Sequence, residues 1–226
     1  PLMLGNICQQ LYTMVDTMVV GQVAGVEALA ALGAVDFLMW VVTGISTGLT
    51  QGFSIQLSQY YGAKDFENLR KSLAHSYRLT AFIAAGVLIL SQSFASLVLT
   101  GLHTPSNIIG MSLLYLRIIF CGIPATAAYN MFASALRAMG NSKTPLTAMI
   151  IASVLNVSLD ILFVAGFGWG VAGAAIATVI AQSFSAVYCF LILRRIDIVH
   201  LTRADFMPAS GMNARLMKLG IPVVFQ

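Results

Sequence analysis

Two aspartates lie inside apolar stretches of the chain. Asp16 lies in the stretch LYTMVDTMVVG, and Asp160 lies in IIASVLNVSLDILFV, four residues after Asn156. An ionisable side chain at membrane depth is energetically costly and usually marks an ion or proton path. These two carboxylates therefore indicate ion-coupled transport, provided that the chain spans a membrane.

Amide and hydroxyl side chains accompany the aspartates when the stretches are read as helices. Asn156 and Asp160 are four residues apart and share a helix face, and Thr178 is expected at a similar depth on the next segment. Gln9 precedes Asp16 by two turns on the same face. An all-oxygen set of this kind suits Na⁺ or a shared proton. In the alternative reading, each aspartate only bonds a neighbouring helix.

Two further charged residues fall inside apolar segments. Asp36 lies about seven residues into the second segment, and Arg117 lies about nine residues into the fourth. Both segments run inward from the outer side, and a buried arginine without a counter-charge is costly. We therefore predict that Asp36 and Arg117 form a structural ion pair within the membrane.

The amino-acid composition indicates a membrane protein, as the predictions above require. The 226 residues are 58% hydrophobic and only 9% charged, with a mean hydropathy of +0.87, whereas soluble domains carry about 25% charged residues. We predict an all-α integral membrane protein with a bundle of six transmembrane helices. The segments are 1–21, 29–58, 76–100, 108–136, 145–167 and 171–193. Pro124 should bend the fourth.

Positive charge predicts the orientation of the bundle. Eleven of the twelve Lys and Arg residues lie in or beside the second and fourth breaks or after the sixth segment, and the first, third and fifth breaks carry none. Positively charged connections stay in the cytoplasm. The chain is therefore predicted to be a multi-pass protein of the cell membrane with a cytoplasmic N-terminus. The net charge of +4 follows from this topology and does not indicate nucleic-acid binding.

Three further segments complete the predicted organisation. Residues 61–75 mix charged and apolar side chains and are expected to form a short amphipathic piece at the inner surface. After the bundle (1–193), residues 194–213 are expected to be a cytoplasmic linker, and residues 214–226 begin a seventh transmembrane helix. Transporters often consist of two related halves. We expect one half plus the start of the next, with a short piece preceding Pro1.

Several stretches together resemble the multidrug and toxic compound extrusion (MATE) family of the MOP flippase superfamily. They are LYTMVDTMVVGQVAGVEALAALG, GLTQGFSIQLSQYYGAKD, GIPATAAYNMFASALRAMGNSKTPL, NVSLDILFVAGFGWGVAGAAIATVIAQ and KLGIPVVFQ. The resemblance, closest to the DinF-like branch, implies twelve helices in two lobes, of which this chain would be the N-lobe without the C-lobe. It also implies that Asp16, Asn156, Asp160 and Thr178 bind the coupling ion, and that Gln9 lines the substrate cavity.

The predicted function is multidrug efflux by antiport of H⁺ or Na⁺, with small amphipathic or cationic organic compounds as substrates. No cofactor and no enzymatic activity are expected. One alternative is a flippase for lipid-linked precursors, which would favour basic residues in the cavity, and Arg117 is the single candidate. Another alternative is an intramembrane aspartyl protease. Such enzymes resemble a Tyr-Asp plus Gly-x-Gly-Asp pattern, and this chain has Val15-Asp16 and Leu159-Asp160 instead.

Overall fold

The computed structural model describes residues 14–15, 17–23, 25–207 and 211–224. Its regular structure is helical, and the described part of the chain contains no strand. After helical residues at 17–23, the described elements are α1 (Val26–Gly62), α2 (Phe66–Gly101), α3 (Ile109–Cys121), α4 (Ile123–Ala138), α5 (Lys143–Asp160), α6 (Gly170–Arg194) and α7 (Met212–Val224). α5 continues as a π-helix over Ile161–Gly166, and short 3-10 turns occur at Asp197–Val199 and Arg203–Phe206.

Up to five membrane crossings are present in the described residues. α2, α5 with its π-helical continuation, and α6 are each long and apolar enough to cross a bilayer. α1 and the pair α3–α4 also qualify if each is counted as one bent span. These helices correspond to predicted segments two to six, and the predicted helical membrane bundle is confirmed. Most of the first predicted segment, 1–21, lies outside the described residues.

The bend between α3 and α4 lies where Pro124 predicts it. The two helices meet at Gly122 with an angle of 43°, and Pro124 occupies the first turn of α4, where proline has no helical hydrogen bond to lose. A Cβ at Gly122 would lie 2.7 Å from Cγ2 of Val179 on α6. The glycine therefore lets α6 approach the bend closely.

The expectation of a separate amphipathic piece at residues 61–75 is wrong. Asp65 caps the N-terminus of α2 by accepting hydrogen bonds from the backbone and side chain of Asn68, at 3.1 and 2.7 Å, which lower the pKa of the Asp65 carboxyl. The following residues are the first turns of one 36-residue helix. Leu69 and Leu73 are each 1% exposed because they pack against protein, not lipid.

The segment between α6 and α7 is docked against α2. Its charge pattern predicted a polar linker, and polar contacts hold it in place. His75 contacts the carbonyl of Met207 through Nε2 at 3.1 Å and Oδ1 of Asn213 through Nδ1 at 2.7 Å. Arg78 donates to the carbonyl of Phe206 at 3.2 Å. Asp205 accepts from the backbone and hydroxyl of Thr202, at 2.7 and 2.8 Å.

Two apolar clusters lie towards opposite ends of the bundle. The first joins the N-terminal half of α1 to α3, the C-terminal half of α2 and the start of α6; its fully buried members include Val35, Leu99 and Leu116. The second joins the C-terminal half of α1 to the first turns of α2, the end of α6 and α7; its fully buried members include Phe53 and Leu216. These clusters hold the helices around a cavity that is described below.

Candidate functional site

One face of α5 and its π-helical continuation is buried inside the bundle. Ala152, Asn156, Asp160 and Val164 follow one another at four-residue spacing, and all four are buried. Asn156 is 2% exposed and Asp160 is 0% exposed. The aspartate therefore faces protein and not lipid, as a functional intramembrane carboxylate must. It is also the last residue before the π-helix, a local distortion that often occurs at functional sites.

Asn156 links α5 to α6 through a hydrogen bond. Its Nδ2 donates to Oγ1 of Thr178 at 3.3 Å, and its Oδ1 is buried without a hydrogen-bond donor among the described residues. A close approach of the two helices is possible because α6 presents small side chains; the fully buried ones are Ala174, Ala175 and Ala177. Asn156, Thr178 and, one turn further, Asp160 therefore occupy one region between these helices.

Two members of the predicted site lie outside the described residues. These two residues are Asp16 and Gln9. The expectation that Asp16 and Asp160 bind one coupling ion together therefore stays a prediction.

The structure does not bring Asp36 and Arg117 together. Among the described residues, ion pairs join Arg70 to Asp205, Lys71 to Glu67 and His200 to Asp197, and none joins Asp36 to Arg117. Both side chains are exposed. Asp36 lies at the 43° bend within α1. The backbone carbonyl of Arg117 accepts a hydrogen bond from Nε2 of Gln92 at 2.8 Å. Hydropathy predicted the depths of these residues but not the directions in which they point.

A cavity of about 800 Å³ opens next to the buried face of α5. Its walls come from α1, the α3–α4 bend, α4, α5 and α6, and both Asn156 and Thr178 line it. Ligand cavities in proteins typically measure about 300–1,000 Å³. The volume is therefore sufficient for a drug-sized organic molecule.

Sequence reasoning missed most of the polar cavity wall. α1 and α4 each present a polar stripe, and Nδ2 of Asn130 on α4 donates to Oγ1 of Thr47 on α1 at 3.1 Å. The stripe of α1 consists of Thr43, Thr47, Gln51, Ser54 and Ser58, and that of α4 consists of Thr126, Asn130, Ser134 and Arg137. Their spacing of three to four residues on otherwise apolar helices was the available signal.

Arg137 is the charged residue of the described cavity wall. No other Lys, Arg, Asp or Glu is among the described residues that line the cavity. Its Nη2 donates to Oγ of Ser134 at 3.1 Å. The charge pattern placed Arg137 in a cytoplasmic loop, whereas it belongs to the last turn of α4.

The family model that matches this chain is MatE, and the match covers residues 1–162. The chain belongs to the MatE family. It is 31% identical, over 100% of its own length and 51% of the relative's, to the probable multidrug resistance protein YpnP of Bacillus subtilis (strain 168). It is 33% identical, over 98% of its length and 50% of the relative's, to the probable multidrug resistance protein YoeA of the same strain.

A solved structure of a MOP superfamily transporter from Pyrococcus furiosus has the same fold. The TM-score is 0.92 and the identity is 26%, over 100% of this chain and 50% of that one. That structure is described as having a binding pocket of reversed polarity that suggests a different function. This MatE chain thus spans about half the length of the relatives that it matches.

The buried carboxylate and the cavity give this MatE chain two chemical capabilities. Asp160 can exchange a proton or help to coordinate a hard cation, together with the amide and hydroxyl oxygens of Asn156 and Thr178. The cavity can hold an organic molecule beside Asn156 and Thr178, which line it. A change of charge at Asp160 can therefore alter the environment of a bound molecule one helical turn away.

Proposed function

We propose that this chain is one half of an exporter that removes amphipathic organic compounds from the cell by antiport of H⁺ or Na⁺. The observation that carries the proposal is a fully buried carboxylate, Asp160, which lies one helical turn along α5 from Asn156, and Asn156 lines a drug-sized cavity. Membership of the MatE family and the names of the multidrug resistance relatives support it.

The proposed cycle uses Asp160 as the switch, together with Asp16. The organic compound enters the cavity while it faces the cytoplasm. A proton or Na⁺ then arrives from outside and neutralises the carboxylate, with Asn156 and Thr178 as further ligands. Because the ion binds better to the outward-facing state, it shifts the population towards that state and drives release.

The proposed exporter consists of two lobes, and this chain contains one of them. We propose that residues 1–193 form one lobe, that residues 194–213 are the cytoplasmic linker, and that residues 214–226 begin the first helix of the second lobe. The chain spans about half the length of its relatives, and α7 packs against α1. The cavity would then be shared between the two lobes, as is usual for transporters built from repeats.

Cysteine labelling should establish the orientation. Ser142, which precedes α5, should react from the cytoplasm, and Ser106, between α2 and α3, should react from outside, because positive charge concentrates at the connections on the side of Ser142. Each is replaced by cysteine in a background lacking Cys8, Cys121 and Cys189, and labelled with a membrane-impermeant maleimide. The reverse labelling pattern would contradict the proposed topology.

Transport by the whole natural protein in sealed vesicles tests the function itself. Accumulation of a fluorescent amphipathic dye should follow an imposed proton gradient or an imposed Na⁺ gradient, each applied separately and in the antiport direction. A response to one gradient identifies the coupling ion. Dye movement that responds to neither gradient would contradict antiport.

A flippase for lipid-linked precursors is the second candidate, and Arg137 is the observation in its favour. A pyrophosphate requires a basic cavity, and Arg117, the residue predicted for this role, does not line the described wall. Arg137 supplies one positive charge, whereas a pyrophosphate carries more than one negative charge. Movement of a fluorescent polyprenyl pyrophosphate across the same vesicles, without efflux of the dye, would favour the flippase.

A further inference from the structure

The cavity wall changes character along the bundle. On α1 it begins with Met39 and Trp40 and ends with Ser54 and Ser58, and on α4 it runs from Ile123 to Ser134 and Arg137, after Ile119 and Phe120 of α3. One end of the cavity is therefore apolar on these helices, and the other end is polar and positively charged. By the orientation argued from charge, the polar end is the cytoplasmic one.

Arg137 is built into this polar end. Its side chain is half-buried, and its hydrogen-bond partner Ser134 is 1% exposed. The guanidinium has five N–H donors, and the structure records one hydrogen bond from it, to Ser134 at 3.1 Å. No described carboxylate forms an ion pair with it. Donors therefore remain for a molecule in the cavity.

The positive-inside rule does not account for this placement. It requires basic residues near the cytoplasm but sets no direction for their side chains. Lys143, six residues later and the first residue of α5, is exposed and does not line the cavity. Arg137 instead lies on the cavity wall, where a positive charge without a counter-charge is costly.

We propose that Arg137 and Ser134 form a subsite for an anionic group at the cytoplasmic end of the cavity. This proposal rests on the proposed function, and it implies that the exported compounds include amphipathic carboxylates. The guanidinium binds a carboxylate through paired charge-assisted hydrogen bonds. The apolar body of the compound extends towards Ile123 and Met39. The site is distinct from the Asp160 region. Arg137 lies near the end of α4, and α5 begins after a short connection at Lys143. From Lys143, Asn156 lies about 20 Å further along α5 at a rise of about 1.5 Å per residue.

Three fluorescent probes of one shape and different charge test the subsite. They are anthracene-9-carboxylate, 9-anthracenemethanol and 9-(aminomethyl)anthracene, titrated by fluorescence anisotropy against the whole natural protein in zwitterionic nanodiscs, with empty nanodiscs subtracted. The unaltered protein should bind the carboxylate about ten-fold more tightly than the alcohol. Equal affinity for the two, or the tightest binding for the amine, would overturn the proposal without any variant.

Substitutions assign the effect to Arg137. Arg137→Gln should abolish the preference for the carboxylate and leave the affinity for the alcohol unchanged, while Arg137→Lys should retain much of the preference. Lys143→Gln is the matched control and should change nothing. Ser134→Asp should also abolish the preference, because its carboxylate would lie beside the guanidinium. Equal weakening of all three probes by Arg137→Gln would indicate a merely structural role and overturn the subsite.

The outcome is separable from that of the proposed function. Binding is measured at equilibrium and without an ion gradient, so a failure of antiport leaves the probe preferences intact. Conversely, ion-driven export of the fluorescent dye by a protein without a carboxylate preference would support the exporter and refute the subsite.

Discussion

Replacing Asp160 by asparagine should abolish ion-driven export while the protein still folds. Asparagine has nearly the same shape and keeps hydrogen-bonding capacity, but it does not titrate and binds a cation weakly. Because Asp160 is fully buried, its carboxylate acts within the protein interior, where the loss of a charge has a large effect. We expect the rate of gradient-driven efflux to fall about ten-fold or more, in line with the loss of an intramembrane ion site.

Asp36→Asn is the matched control for Asp160→Asn. It makes the same chemical change in another intramembrane aspartate, one that is exposed on α1 and does not line the described cavity. Loss of the ion pair that the sequence predicted between Asp36 and Arg117 would destabilise this variant, but the described residues do not form that pair. Asp36→Asn should therefore fold and export normally.

Both variants are assayed in vesicles under separately imposed proton and Na⁺ gradients. Gel filtration and thermal denaturation establish folding, and binding of the dye establishes that the cavity is intact. Normal export by folded Asp160→Asn would refute the proposed switch, whatever the role of the cavity. Loss of export by both variants to the same extent would show that the effect is not specific to the site.

Adding one methyl group at Gly52 should destabilise the protein strongly. A Cβ at Gly52 would lie 2.3 Å from Cα of Gly220 and 2.7 Å from its backbone nitrogen. The clash is with the backbone of α7, so no side-chain rotation relieves it and the two helices must separate. Overpacking of this kind costs about 1–3 kcal/mol, and we expect the melting temperature to fall by about 5 °C or more.

Gly86→Ala is the control for Gly52→Ala. Gly86 lies inside α2, and no side chain or neighbouring helix comes within 4 Å of the position that a Cβ would take there. Alanine should therefore be neutral or stabilising, since it favours the helix by about 1 kcal/mol. Thermal denaturation in detergent, followed by intrinsic tryptophan fluorescence, measures both variants. An unchanged melting temperature for Gly52→Ala would show that α7 does not pack against α1 in this way.

Because Gly52 on α1 contacts α7, the effect of Gly52→Ala can also be measured as a change in export. If residues 214–226 begin the second lobe, as proposed, then Gly52 lies where the lobes meet. Export should then fall in proportion to the loss of packing between α1 and α7, and binding of the dye should fall less.

Much of the fold follows from local properties of the sequence. The cost of placing polar groups in a bilayer depends on composition over about 20 residues, so segments two to six could be predicted with their order and approximate ends. The bend near Pro124 is equally local, because proline is favoured in the first turn of a helix and disfavoured inside one, so it marks the start of α4. The depth of Asn156, Asp160 and Thr178 could be counted along each helix.

The directions in which side chains point could only come from the tertiary structure. Depth along a helix is set by its own sequence, but the neighbour that each face meets depends on how all the helices pack together. Arg117 and Arg137 show the difference, since both lie on helices of one bent span and only Arg137 faces the cavity. For the same reason Leu69 and Leu73, in the first turns of α2, are buried against protein. The sequence therefore determined that polar groups enter the membrane, and the packing of helices decided which of them share a cavity.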